Sequence, residues 1–165
     1  MKSIRMLCVA LLVTVFFGGG DTKAEEQPNE IVIEEVDVRM SDHGPVVLLA
    51  VGEKAIPIFV DPTVAGSIHG ALSGQKFPRP LSHDLMHTIL KAYGVNVDRV
   101  FITLKDEVFY GTLTLSVNGQ TKEFDSRSSD AIALAIHFET PIVIGKELLD
   151  SAGQSFEDEA GKVQL

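Results

Sequence analysis

The stretch Phe109-Tyr110-Gly111-Thr112-Leu113-Thr114-Leu115-Ser116-Val117-Asn118-Gly119-Gln120-Thr121-Lys122-Glu123-Phe124 decides the fold class. Phe109, Gly111, Leu113, Leu115 and Val117 alternate with Tyr110, Thr112, Thr114 and Ser116. That period of two puts one set on each face of a strand. Asn118-Gly119 supplies two residues that tolerate positive φ, as a type I′ turn requires, and Thr121 to Phe124 returns. The segment predicts a β-hairpin with Phe109, Leu113 and Leu115 turned to the core.

Working outward, Val97 to Leu104 predicts a strand leading into this hairpin, and Pro141 to Ile144 a last short one. Upstream, Val46 to Val51, a Gly52-Glu53 turn and Ile56 to Val60 form a second hairpin. Ile31, Ile33, Val36 and Val38 belong to a β-rich segment whose alternation slips at Glu34-Glu35. Three helices lie between. Asp61 is an N-cap with Pro62 at the first helical position, opening a helix to about Leu72. Gly66 and Gly70 weaken it, so packing must hold it. Ser82 is expected to cap a second helix that has Leu85, Met86, Ile89, Leu90 and Tyr93 on one face and Gly94 at its end. The third runs from about Ser128 to Phe138; Ala131 to Ile136 is apolar on every side, the mark of a helix buried all round. Strands in hairpins with helices interspersed predict an α+β fold: a hairpin-rich mixed or antiparallel β-sheet structure with about three packed helices in a single domain.

The first 24 residues read as a secretory signal. Lys2 and Arg5 precede an apolar run from Met6 to Phe17, three glycines break it, and Thr22-Lys23-Ala24 offers small residues for cleavage. The rival is an uncleaved anchor, disfavoured because a span takes ~20 apolar residues. The expected organisation is therefore a signal peptide at 1–24, a linker at 25–30, the domain at 31–152 and a loose acidic tail at 153–165. Such a chain is exported, periplasmic or secreted, with no stable membrane span after cleavage. Without Lys2, Arg5, Lys23 and Asp21, residues 25–165 carry 11 basic and 22 acidic side chains, a net charge of −11. Non-specific attraction to a phosphate backbone is excluded, so any nucleic-acid chemistry must rest on a local basic site or a bound cation. Cys8 is the only cysteine and leaves with the signal, which removes disulfides, thiolate zinc sites and a cysteine nucleophile.

Polar residues gather at two helix starts. Arg79-Pro80-Leu81-Ser82-His83-Asp84 and Asp125-Ser126-Arg127-Ser128-Ser129-Asp130 each hold an arginine beside carboxylates and hydroxyls. A helix N-terminus favours anions, and a guanidinium there forks onto a carboxylate or a phosphate. Local capping and ion pairing account for much of the same pattern. His83 and His87 also share a helix face, a weak metal-binding signal with aspartate where the metalloprotease motif has glutamate.

Taken in order, the Val46-Val47-Leu48-Leu49 strand, Ile56-Pro57-Ile58, Arg79-Pro80-Leu81-Ser82-His83-Asp84-Leu85, the Asp125 to Ala135 stretch and Pro141-Ile142 resemble the bifunctional nuclease domain family, over roughly Ile31 to Ala152. The resemblance implies DNase and RNase activity, with DNA or RNA as partner. It places the polar signature on Arg79, His83, Asp84, Asp125, Arg127, Ser129 and Asp130. Within it we assign Arg79 and Arg127, with Ser129, to phosphate binding and His83 to general acid or base work. Asp84, Asp125 and Asp130 would hold a divalent cation, Mg²⁺ or Mn²⁺. The chain departs from the family pattern at Asp61, where a glycine is usual, and at Val64, where a glutamate is usual. The alternative is a non-enzymatic exported binding or assembly domain that keeps the fold with an ion-paired network. A homo-oligomer is compatible with either.

Overall fold

The structure, a computed structural model, describes residues 29–155. The signal, most of the linker and the tail beyond Ser155 lie outside the described residues. In chain order the elements are β1 (Glu30–Val32), β2 (Glu35–Ser41), β3 (Gly44–Val51), β4 (Lys54–Phe59), α1 (Pro62–Ser73), α2 (Ser82–Ala92), β5 (Asn96–Lys105), β6 (Val108–Val117), β7 (Gln120–Arg127), α3 (Ser128–Phe138), β8 (Ile142–Gly145), α4 (Lys146–Ala152) and β9 (Gln154–Ser155).

Two sheets form, ordered β1-β8-β5-β6-β7 and β2-β3-β4-β9. All pairings are antiparallel except β5 with β8. The fold is α+β, as the hairpin pattern predicts. Asn118 and Gly119 take φ of 51° and 76°, the two positive values of a type I′ turn. Leu113 is buried, and Phe109 and Leu115 pack against the core. The slip at Glu34-Glu35 is where the chain changes sheets: Ile33 N–H donates to Ile142 of one sheet and Glu34 N–H to Ala50 of the other.

α3 is the centre of the molecule. Ala131, Ile132, Ala133 and Ala135 are completely buried and Leu134 nearly so, between the five-stranded sheet, α1 and α2. Its first turn lies against β6 at Gly111, where a Cβ would come within 2.5 Å of the Ala131 Cβ. The glycine is what lets the helix sit so low on the sheet. α1 is held as its glycines require: the Phe77 ring lies over Gly70, 2.9 Å from where a Cβ would be.

Three local expectations are corrected. Ser82 does not cap α2; Leu81 occupies that position, and its N–H donates to Asp84 Oδ2 at 2.8 Å, so the N-terminal donor is satisfied by the first-turn carboxylate. A fourth helix, α4, follows β8; its seven residues are too few to show a period in sequence. The ordered chain also continues past residue 152, because Gln154 and Ser155 pair with β4.

Candidate functional site

The N-termini of α1, α2 and α3 converge. Asp61 caps α1, its Oδ1 accepting from the N–H of Thr63 and Val64 at 3.1 and 3.0 Å. Its other oxygen lies 3.7 Å from Arg127 Nη1. Arg127 is the last residue of β7 and precedes the first turn of α3. Its Nε and Nη2 donate to the two oxygens of Asp130 at 2.7 and 2.9 Å, a forked pair. Asp130 Oδ1 also receives His83 Nε2 from α2 at 3.1 Å, across 47 residues of sequence. The two sequence clusters therefore meet at one carboxylate.

The electrostatics follow from that geometry. The hydrogen bonds from Arg127 hold the Asp130 carboxyl below the usual range, against a burial penalty, and His83 adds to the effect. Asp130 in turn raises the Arg127 guanidinium above its ordinary value. The Arg127 side chain is 67% exposed, and among the described residues its Nη1 faces only Asp61, at 3.7 Å, beyond hydrogen-bonding distance. That group can take an anion without breaking the fork. His83 is buried. Its Nε2 faces the anionic Asp130, which leaves Nδ1 as the ring nitrogen outside that contact.

Asp84 faces away from this triad. Its Oδ1 lies 3.9 Å from His137 Nδ1, and His137 Nε2 shares a hydrogen bond with Ser67 Oγ at 3.0 Å. The His87 ring stands edge-on to Phe138 at 4.7 Å and 5.9 Å from the His137 ring, so His87 packs rather than pairing with His83 on a metal. Burial lowers the His137 pKa, with Asp84 pulling the other way and His87 and His83 adding to the depression. A cavity of about 230 Å³ opens beside Ser67 and His137, between α1, the 74–77 loop and the end of α3. Sequence reasoning missed Ser67 and His137; no local pattern ties α1 to the far end of α3.

The remaining expected residues are dispersed. Asp125 pairs with Thr112 while Ser126 pairs with Gly111, the residue beneath α3. By alternation Asp125 belongs to the sheet face opposite α3. Arg79 is exposed, and among the described residues no hydrogen bond or ion pair engages it. Ser129 is buried in the first turn of α3.

The set Asp84, Asp125 and Asp130 does not fit a resident divalent cation. Both Asp130 oxygens are engaged, one Asp84 oxygen serves the Leu81 N–H, and Asp125 is across the sheet. Among the described residues no three His, Cys, Asp or Glu side chains are grouped to hold an ion.

Comparison with known proteins bears on the same elements. Residues 46–157 match the bifunctional nuclease domain, a span that includes α1, α2 and α3 entire. Two proteins of Mycobacterium tuberculosis, from strains CDC 1551 / Oshkosh and ATCC 25618 / H37Rv, are each 30% identical over 134 residues, covering 79% of this chain and 80% of theirs. Both are themselves uncharacterised. With residues 46–157, most of the chain, matched to that domain and both polar clusters joined at Asp130, this chain belongs to the bifunctional nuclease domain family.

Proposed function

We propose that this protein is a nuclease that hydrolyses phosphodiester bonds of DNA or RNA, acting outside the cytoplasm at the junction of the three helix N-termini. The observation that carries the reading is Asp130, which binds Arg127 and His83 at once and leaves Arg127 Nη1 exposed. Three N-terminal helix dipoles aimed at one place favour an anion there. In a chain of net charge −11, the exposed Arg127 guanidinium is a cation that a phosphate could use, although Asp130 and Asp61 already face it. Arg127 Nη1 would bind the phosphate oxygen on which charge develops. His83 Nδ1 would take the proton from the attacking water, and Asp130 would hold the imidazole in the tautomer that permits this. Arg79 and Ser129 are further candidates for phosphate contact. Mg²⁺ or Mn²⁺, where hydrolysis requires it, would arrive on the substrate phosphates, and no step above depends on it.

One observation favours the second reading, a binding or assembly domain. Val64 occupies the position where the family's glutamate is usual, and it is buried in the core, while both Asp130 oxygens are already paired. The variants Arg127→Ala and His83→Gln separate the two. The nuclease reading expects cleavage of DNA or RNA by the wild type, with or without added divalent metal. It also expects a rate loss of at least ~10²-fold in each variant, with little change in melting for Arg127→Ala, because an exposed pair contributes only about 0–1 kcal/mol. Absence of cleavage by the wild type under every metal tried, with a large melting loss in Arg127→Ala, decides for the assembly domain.

A further inference from the structure

The apolar side of α2 is turned outward. His83 is the one residue of α2 that is fully buried, whereas Leu85, Met86, Ile89 and, just past the helix end, Tyr93 are 52%, 41%, 48% and 78% exposed. Together with Ser82 and Ala92 they make a stripe without a single charged residue, in a chain where 22% of residues are charged. Four large side chains about half exposed in one row make a patch on the order of a few hundred Å², the size that marks an interaction surface. The patch continues through Leu90 into a groove of about 660 Å³ whose apolar lining is Leu90, Val95, Leu115, Val117 and Phe124.

We propose that this face is the contact between two copies of the chain, with α2 packed antiparallel on α2 about a two-fold axis. Independently of any nuclease activity, the order of residues along the stripe is what selects a second copy. Placing the axis level with the midpoint of His87 and Thr88 sets Met86 against the partner's Ile89 and Leu85 against the partner's Leu90. It also sets Ser82 against the partner's Tyr93. The largest side chain thus meets the smallest, the medium ones meet each other, and the partner's Leu85 stands at the mouth of the groove. Such self-complementarity is the requirement of an isologous interface. An interface of standard size takes roughly 800 Å² per partner, so the groove must be covered together with the stripe. Charge points the same way. Two chains of net −11 repel, and the uncharged stripe of α2, beside a groove that also holds Lys122, is where they can approach; apolar and aromatic enrichment with charge depletion is the composition of an interface core. The stripe has no lysine or arginine to meet the phosphates of a nucleic acid or of a lipid surface.

Sedimentation of the full chain across a hundredfold range of concentration tests this, with Ile89→Asp and Tyr93→Glu alongside. A wild-type dimer is expected, with a melting temperature that rises with protein concentration. Each variant is expected to sediment as a folded monomer whose melting does not depend on concentration. Tyr93→Glu lies beyond the helix and is the more exposed site, so it serves if Ile89→Asp fails to fold. A wild type that is monomeric throughout overturns the proposal. So does association that survives both substitutions, or a monomer that binds phosphatidylglycerol vesicles or an oligonucleotide through the stripe.

Discussion

His137 shows what a single residue contributes here. Its side chain is 8% exposed, and burial is the main cause of its lowered pKa. In the unfolded chain a histidine titrates near 6.5. As the pH falls below that value the unfolded state takes up the proton first, so the stability present above it is progressively lost. Urea unfolding at pH 7.5, 6.5 and 5.5 should show the midpoint falling across this window in the wild type, and His137→Gln should flatten the slope. Parallel slopes in the two proteins would refute the assignment. Asp130 acts separately: its depressed pKa confines its effect to acid below about 3.9, where protonation of the native carboxylate removes the stabilisation. Of the residues singled out from sequence, Arg127, His83 and Asp130 come together in the structure, and the hint in the sequence is that capping alone does not explain an arginine between serines at a helix start. Asp125 was not placeable, because a residue two positions from Arg127 shares a strand but not the turn into α3. Ser67 and His137 were not legible, since their contact depends on how α1 crosses α3.

Among the elements, α3 carries the most burial and the most cost of change. Leu134 is 3% exposed in a row of buried residues, so Leu134→Ala should destabilise by about 2–5 kcal/mol in chemical denaturation. A shift near zero would mean that the helix is peripheral. This helix and both tight hairpins could be read in advance because apolar runs and turn residues are local signals. α2 shows the limit of such reading. Its apolar stripe is plain in sequence, and a stripe ordinarily faces the core. Here the core side of α2 meets partners suited to histidine: Asp130 takes His83, and the Phe138 ring packs against His87 and lies 5.2 Å from the Lys91 ammonium. The histidine side therefore turns inward and the leucine side outward. Periodicity gives the phase of a helix relative to itself, never the chemistry of the surface it meets.

At the scale of the whole molecule, charge and organisation set expectations that the folded domain alone does not. If residues 1–24 are removed on export, intact mass should show a mature chain beginning at Glu25, and a chain retaining Met1 would refute cleavage. The topology has a bearing on the order of folding. β8 is an interior strand of the five-stranded sheet, with β1 on one side and β5 on the other, yet it follows β7 and α3 in chain order. β1 closes onto it by joining Glu30 to Gly145. Neither sheet can be finished early in synthesis, since the second also waits for Gln154 and Ser155 to reach β4. Pairings of such long sequence separation form slowly, because the entropy of closing the loop is lost before the contacts repay it. A chain emerging from its N-terminus therefore cannot complete either sheet until the residues of β8 and β9 have followed.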